Sequence, residues 1–142
     1  MVPLGHLHPM LVHFPIALVV FGFIADIAAL VFKKETFLAK TGFYLLIIGT
    51  LAAGAATLAG ILFTSELAGE AEKVRELHEL FAYITLGILS ATLILRIFLK
   101  IKKLEDSNLK WLAICLYGFA TVAVMLTGLY GGTLVYNFMM PL

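Results

Sequence analysis

Four long apolar stretches divide the chain, at residues 15–32, 41–63, 80–99 and 109–130. Each is close to the roughly 20 residues a helix needs to cross a bilayer. The first can extend back toward Pro9 and the last forward toward Tyr136. In lipid the backbone must satisfy its own polar groups, so these stretches read as helices. They are continuous and rich in Leu and Ala, which does not suit the alternating strands of a membrane barrel. Polar punctuation between them is short. Lys33-Lys34-Glu35 separates the first two, and residues 100–110 separate the last two. Short connections favour antiparallel neighbours. The middle segment, 64–79, is longer: Ser65 can cap a helix whose first turn carries Glu66. The pattern therefore predicts an all-α fold, an integral membrane four-helix up-down bundle with a short interfacial helix between helices 2 and 3. The whole chain, 1–142, reads as a single transmembrane domain.

Composition agrees with this pattern. The chain is 62% hydrophobic and 13% charged, with a mean hydropathy of +1.04, against roughly 45–50% and 25% for soluble domains. A soluble fold of this size leaves about 30% of its unfolded surface wet, too much for this sequence. The net charge of +1 points to no polyanion, so nucleic acid is not an expected partner; lipid is. The first stretch lacks a basic leader and a small-residue cleavage site, so it reads as a retained span. The single Cys115 can form no internal disulfide. Charge placement gives direction. Lys33, Lys34, Lys40, Arg96, Lys100, Lys102, Lys103 and Lys110 fall at one face, and only Lys73 and Arg75 at the other. The positive-inside rule puts the eight in the cytoplasm. A multi-pass protein of the inner (plasma) membrane is expected, with both termini and the acidic middle segment periplasmic.

That topology gathers all four histidines, His6, His8, His13 and His78, at the outer face. At about 100° per residue, His78 shares a helix face with Thr85, Leu89 and Thr92, an inward stripe. His13 stands beside Pro15, which removes a helical donor and crowds the Leu11 carbonyl. Irregular backbone at membrane depth is tolerated where protein or a cavity covers it. The first and third spans run in the same direction, so His13 and His78 lie at similar depth and can face each other. Two neutral imidazoles at one level suit the axial positions of a haem iron, and ionisable groups within spans are functional candidates. The leading expectation is one b-type haem on His13 and His78. The alternative is copper or zinc on His6, His8, His13 and His78, with Met10 as a soft donor nearby. Each histidine taken alone also fits an interfacial residue bonded to backbone or headgroup.

Other features fit around that site. Gly128, Gly131 and Gly132 would make room for the ring, and Tyr130 or Tyr136 would donate to a propionate or quinone oxygen, or else anchor the interface. Gly42, Gly49, Ala53, Ala56 and Gly60 form one smooth face on span two, read as helix packing. Asp26 is the one acid well inside a span, about 16 Å below Pro15. It suits a proton relay, or a structural group held by a neighbouring hydroxyl or by Lys33 and Lys34. Glu66, Glu70, Glu72, Glu76 and Glu79 form either a solvated face or a docking surface for a basic electron carrier. No nucleophile is paired with a base in the spans, which argues against a hydrolase.

His8-Pro9-Met10-Leu11-Val12-His13-Phe14-Pro15-Ile16-Ala17 is similar to the opening of the DUF2231 family of small membrane proteins, and Gly131-Gly132-Thr133-Leu134-Val135-Tyr136 resembles its closing motif. His78 falls where that family carries a histidine at the head of its third span. The resemblance implies a four-helix membrane protein, sometimes linked to redox modules such as Rieske proteins, with His13, His78 and the glycine turn in one shared site. It departs after Tyr136. The bundle also resembles membrane cytochromes b, but with no histidine in the inner half it admits one bis-histidine haem. The function expected is a membrane electron-transfer protein or redox-complex subunit, exchanging electrons with a quinone or a periplasmic partner. Whether it is an enzyme stays open. The other expectations are a periplasmic-side copper or zinc protein and a structural or assembly subunit without cofactor.

Overall fold

A computed structural model of the chain describes residues 7–64 and 67–138. They form five helices: α1 (Leu7–Leu11), α2 (His13–Val31), α3 (Thr36–Phe63), α4 (Glu70–Ile101) and α5 (Leu109–Asn137). No strand occurs among the described residues. Four apolar segments are long enough to cross a membrane, with α1 and α2 acting as one span from His8 to Val31. The protein is an all-helical, multi-pass membrane protein.

The break between α1 and α2 falls at Val12. Pro15 has no N–H to give the Leu11 carbonyl, so the helix cannot run through unperturbed. Val12 still donates to the His8 carbonyl at 3.1 Å. The other boundaries are equally local. At the end of α3 the Thr64 hydroxyl and N–H both return to the Gly60 carbonyl, at 2.5 and 3.2 Å, and the chain turns extended. Gly69 opens α4 at φ 68°, a backbone that favours glycine. At its far end Lys103 adopts φ 55° while Leu104 donates to the Leu99 carbonyl at 2.8 Å. That is a Schellman closure with lysine where glycine is usual.

The anticipated interfacial helix is not a separate element among the described residues. Glu70 to Glu79 form the first turns of α4 itself, and Ser65 and Glu66 lie outside the described residues. Helix continuity wins because Glu72 and Glu79 both hold Arg75, across nearly two turns of the same face, and Glu72 also accepts the Leu67 N–H at 3.0 Å. The acidic segment is thus partly used internally.

Helices α2 and α3 pack tightly as one hairpin, α4 and α5 as a second. The hairpins meet through α2 against α5 and α3 against α4, leaving α2 and α4 diagonally opposed. The core on the central axis is Val19, Leu46, Ala53, Leu89, Tyr117, Ala120 and Val124. Phe21, Leu51, Ile94 and Phe119 point outward, as a lipid-facing surface requires.

Candidate metal centre

At one end of the bundle, the histidine end, two imidazoles meet. They belong to His8 and His78, with ring centroids 5.9 Å apart and planes at 88°. His8 lies on α1, which rests against α3; His78 is buried on α4. The His8 Nδ1 is 2.9 Å from the Ala56 carbonyl, and the His78 Nδ1 is 2.9 Å from the Thr127 carbonyl. A carbonyl oxygen only accepts, so each Nδ1 carries the proton. In the neutral ring, Nε2 then keeps its lone pair.

Both histidines reach a helix backbone by the same device. Four residues after each accepting carbonyl stands a glycine, Gly60 after Ala56 and Gly131 after Thr127. A helical Cβ leans back toward the preceding turn, so a side chain there would cover the carbonyl. A Cβ on Gly60 would stand 3.1 Å from the His8 ring, and one on Gly131 3.1 Å from the His78 ring. These two glycines make room for the imidazoles.

His13 does not face His78. It is exposed, its Nδ1 turned back 2.9 Å onto the Pro9 carbonyl, and it borders a shallow apolar depression with Phe14, Ala17 and Leu18. Helical phase accounts for the difference. Val12 keeps helical dihedrals, φ -62° and ψ -23°, and at about 100° per residue His13 stands roughly 140° round the helix from His8, so His8 is the histidine that points into the bundle. Of the expected glycines, Gly131 backs His78 and Gly128 is filled by Ile16, whose Cδ1 lies 3.0 Å from the position of a Cβ. Gly132 faces open space and Tyr136 is exposed. Tyr130 stacks on Phe81 with centroids 5.6 Å apart. His6 lies outside the described residues. No group of three or more His, Cys, Asp or Glu side chains close enough to hold a metal occurs among the described residues. That removes a many-ligand copper or zinc cluster from what the described histidines can build.

The opposite, lysine-rich end holds a second polar cluster that the sequence did not assemble. Asp26 on α2 is buried and ion-paired with Arg96 on α4, straight across the bundle diagonal. Gly42 gives the carboxylate its seat, since a Cβ there would collide with it. The Tyr117 ring is fully buried, edge-on to Phe23, and its hydroxyl has no hydrogen-bond partner among the described residues. The Arg96 guanidinium and the Lys100 ammonium lie over the Phe43 ring at 5.4 and 4.6 Å. Arg96, counted above among the interfacial basic residues, is thus withdrawn into the bundle. Lys33 and Lys34 do not hold Asp26.

With the fold and both clusters in place, one comparison with known proteins is informative. The family of predicted membrane proteins DUF2231 matches residues 5–140, nearly the whole chain. Nothing among curated proteins or solved structures matches it.

Proposed function

For a chain that belongs to the DUF2231 family of predicted membrane proteins, we propose a role in electron transfer, with a single b-type haem held by His8 and His78. The observation that carries this is the pair of rings itself. A metal–imidazole bond is about 2 Å long, so two rings ligating one metal from opposite sides put their centroids roughly 6 Å apart. Here the separation is 5.9 Å. Both Nδ1–H groups are held by backbone carbonyls, the outer-shell support that fixes a ligating histidine's tautomer and orientation. The donor set also discriminates between metals. Bare zinc takes four ligands, at least three of them from protein even in catalytic sites; a haem iron needs only its two axial positions filled by protein. Two imidazoles with no third protein donor among the described residues favour haem.

When bound, the group supplies one-electron chemistry. The chain's own residues fix two neutral imidazoles at one level and surround them with apolar helix surface. A haem held by His8 and His78 at this end of the bundle would supply electron exchange on that side, with a membrane quinone, a soluble redox partner or a neighbouring subunit. The test is an absorption spectrum of protein expressed with ample haem and purified in detergent. We expect a Soret band and sharp α and β bands on dithionite reduction. His8→Ala and His78→Ala should each abolish the reduced α band, and His13→Ala should keep it. A colourless wild-type protein overturns the proposal. Loss of the spectrum in His13→Ala with retention in His8→Ala would return the ligand role to His13.

A further inference from the structure

The two hairpins share one sequence register. Shifting by 70 residues lays α1 and α2 on the membrane part of α4: Leu7 and His8 fall on Leu77 and His78, Ile24 on Ile94, and Ile27 on Ile97. Shifting by 71 lays α3 on α5, with Leu45 on Leu116, Thr50 on Thr121, Leu58 on Leu129 and Gly60 on Gly131. Burial matches at many core positions under the same shifts, while His78 and Asp26 are buried where His8 and Arg96 are half-buried. Pro15, Val19 and Gly22 are buried, and so are Thr85, Leu89 and Thr92. Gly42, Leu46, Gly49, Thr50 and Ala53 are buried, and so are Ala113, Tyr117, Ala120, Thr121 and Val124. Contacts follow it too. His8 bonds the Ala56 carbonyl where His78 bonds that of Thr127, and Thr50 and Thr121 each return their hydroxyl to the carbonyl four residues back.

We infer that the bundle is two copies of one helical hairpin about a pseudo-two-fold axis along the membrane normal, and that opposite charges at one equivalent position, Asp26 and Arg96, pair unlike halves. Membrane proteins built from parallel repeats use such an axis. In a two-fold interface residue i meets j and j meets i, and only residues on the axis meet their own equivalents. His8 meets His78 on it, and Asp26 meets Arg96. Had position 26 and its equivalent kept the same charge, two like charges would face each other away from water, a repulsive arrangement. Divergence to Asp and Arg makes the first hairpin complementary to the second and repellent to a copy of itself. The histidine site lies on the same axis, so its ligand presents equivalent positions on two opposite faces. That last clause rests on the haem reading; the repeat does not.

The test is a charge exchange in the full-length chain. Asp26→Arg and Arg96→Asp each place like charges on the axis and should lower the melting temperature in detergent sharply. The double variant Asp26→Arg/Arg96→Asp should recover most of the loss, because the two positions are equivalent and Gly42 leaves room beside residue 26. A double variant no more stable than the worse single one overturns the inference. Should both single variants fail to accumulate, the milder Asp26→Asn and Arg96→Gln supply the comparison: equal destabilisation by both supports equivalence, and loss in only one refutes it. Melting is read without any cofactor, so a failed haem reading leaves this result intact. Where the pigment is present, His8→Met and His78→Met should give the same spectral change.

Discussion

At residues 60 and 131 a missing side chain decides whether an imidazole can reach the backbone. Gly131→Ala puts a methyl 3.1 Å from the His78 ring. Replacing glycine by alanine inside a helix stabilises it by about 1 kcal/mol, but here the ring must shift to accept the methyl. Its neighbour Gly132 meets nothing within 4 Å. Gly132→Ala should therefore raise the melting temperature. Gly131→Ala should gain little, and Gly131→Val should expel His78 and bleach the reduced α band. Melting curves with matched spectra check all three. At this scale the sequence was legible in part. It pointed to His78 on an inward stripe and to Gly131 beside it. It named His8 only as a copper or zinc ligand and paired His78 with His13, although helical phase carried back through Val12, which is itself helical, puts His13 roughly 140° away from His8. The signal that finds His8 is the glycine four residues beyond a carbonyl, present on both α3 and α5.

Between elements, the contact that matters most at the lysine end joins α2 to α5 through Gly22 and Tyr117. Hydropathy reading placed these helices correctly but could not choose their rotation, since lipid-facing and core-facing positions are both apolar. Small residues are what break that tie. A Cβ on Gly22 would overlap the Tyr117 hydroxyl and lie 2.9 Å from the Leu45 Cβ. Overpacking of this kind costs about 1–3 kcal/mol. Tyr117→Phe removes a buried hydroxyl that has no partner among the described residues, so it should be near neutral or stabilising. In a double-mutant cycle followed by thermal melting, Gly22→Ala should destabilise alone and recover in part with Tyr117→Phe. Recovery stays partial because Leu45 remains in the way. Strict additivity would mean that the hydroxyl is not what Gly22 accommodates. Asp26 and Arg96, 70 residues apart, were individually visible in the sequence. Their pairing was not, because Arg96 reads as one more basic residue at an interface until α4 is rotated.

Over the whole molecule, the sequence carries an expectation of direction, and the ion pair of Asp26 with Arg96 changes the count behind it. Withdrawing Arg96 into the ion pair with Asp26 leaves Lys33, Lys34, Lys40, Lys100, Lys102, Lys103 and Lys110 at one end. Lys73 and Arg75 remain at the other, and Arg75 is held by Glu72 and Glu79. The bias survives, because the positive-inside rule counts lysines and arginines near span ends and gives acids little weight. On a count of seven against two, the lysine end is expected in the cytoplasm. Both hairpins turn there, since the loops after α2 and after α4 carry the lysines. That agrees with the pseudo-two-fold axis, which requires both hairpins to insert in the same sense. Alkaline phosphatase fused after Phe138 should therefore be active in a bacterial host, and fused after Lys103 inactive, with a fluorescent-protein fusion giving the reverse pattern. Moving positive charge should move the protein. Adding four lysines to the 64–69 connection while replacing Lys33, Lys34, Lys102 and Lys103 by Gln should produce inverted or mixed insertion. If the remodelled chain keeps its original direction, the fixed element is the order in which the hairpins insert, and the lysines are incidental to it.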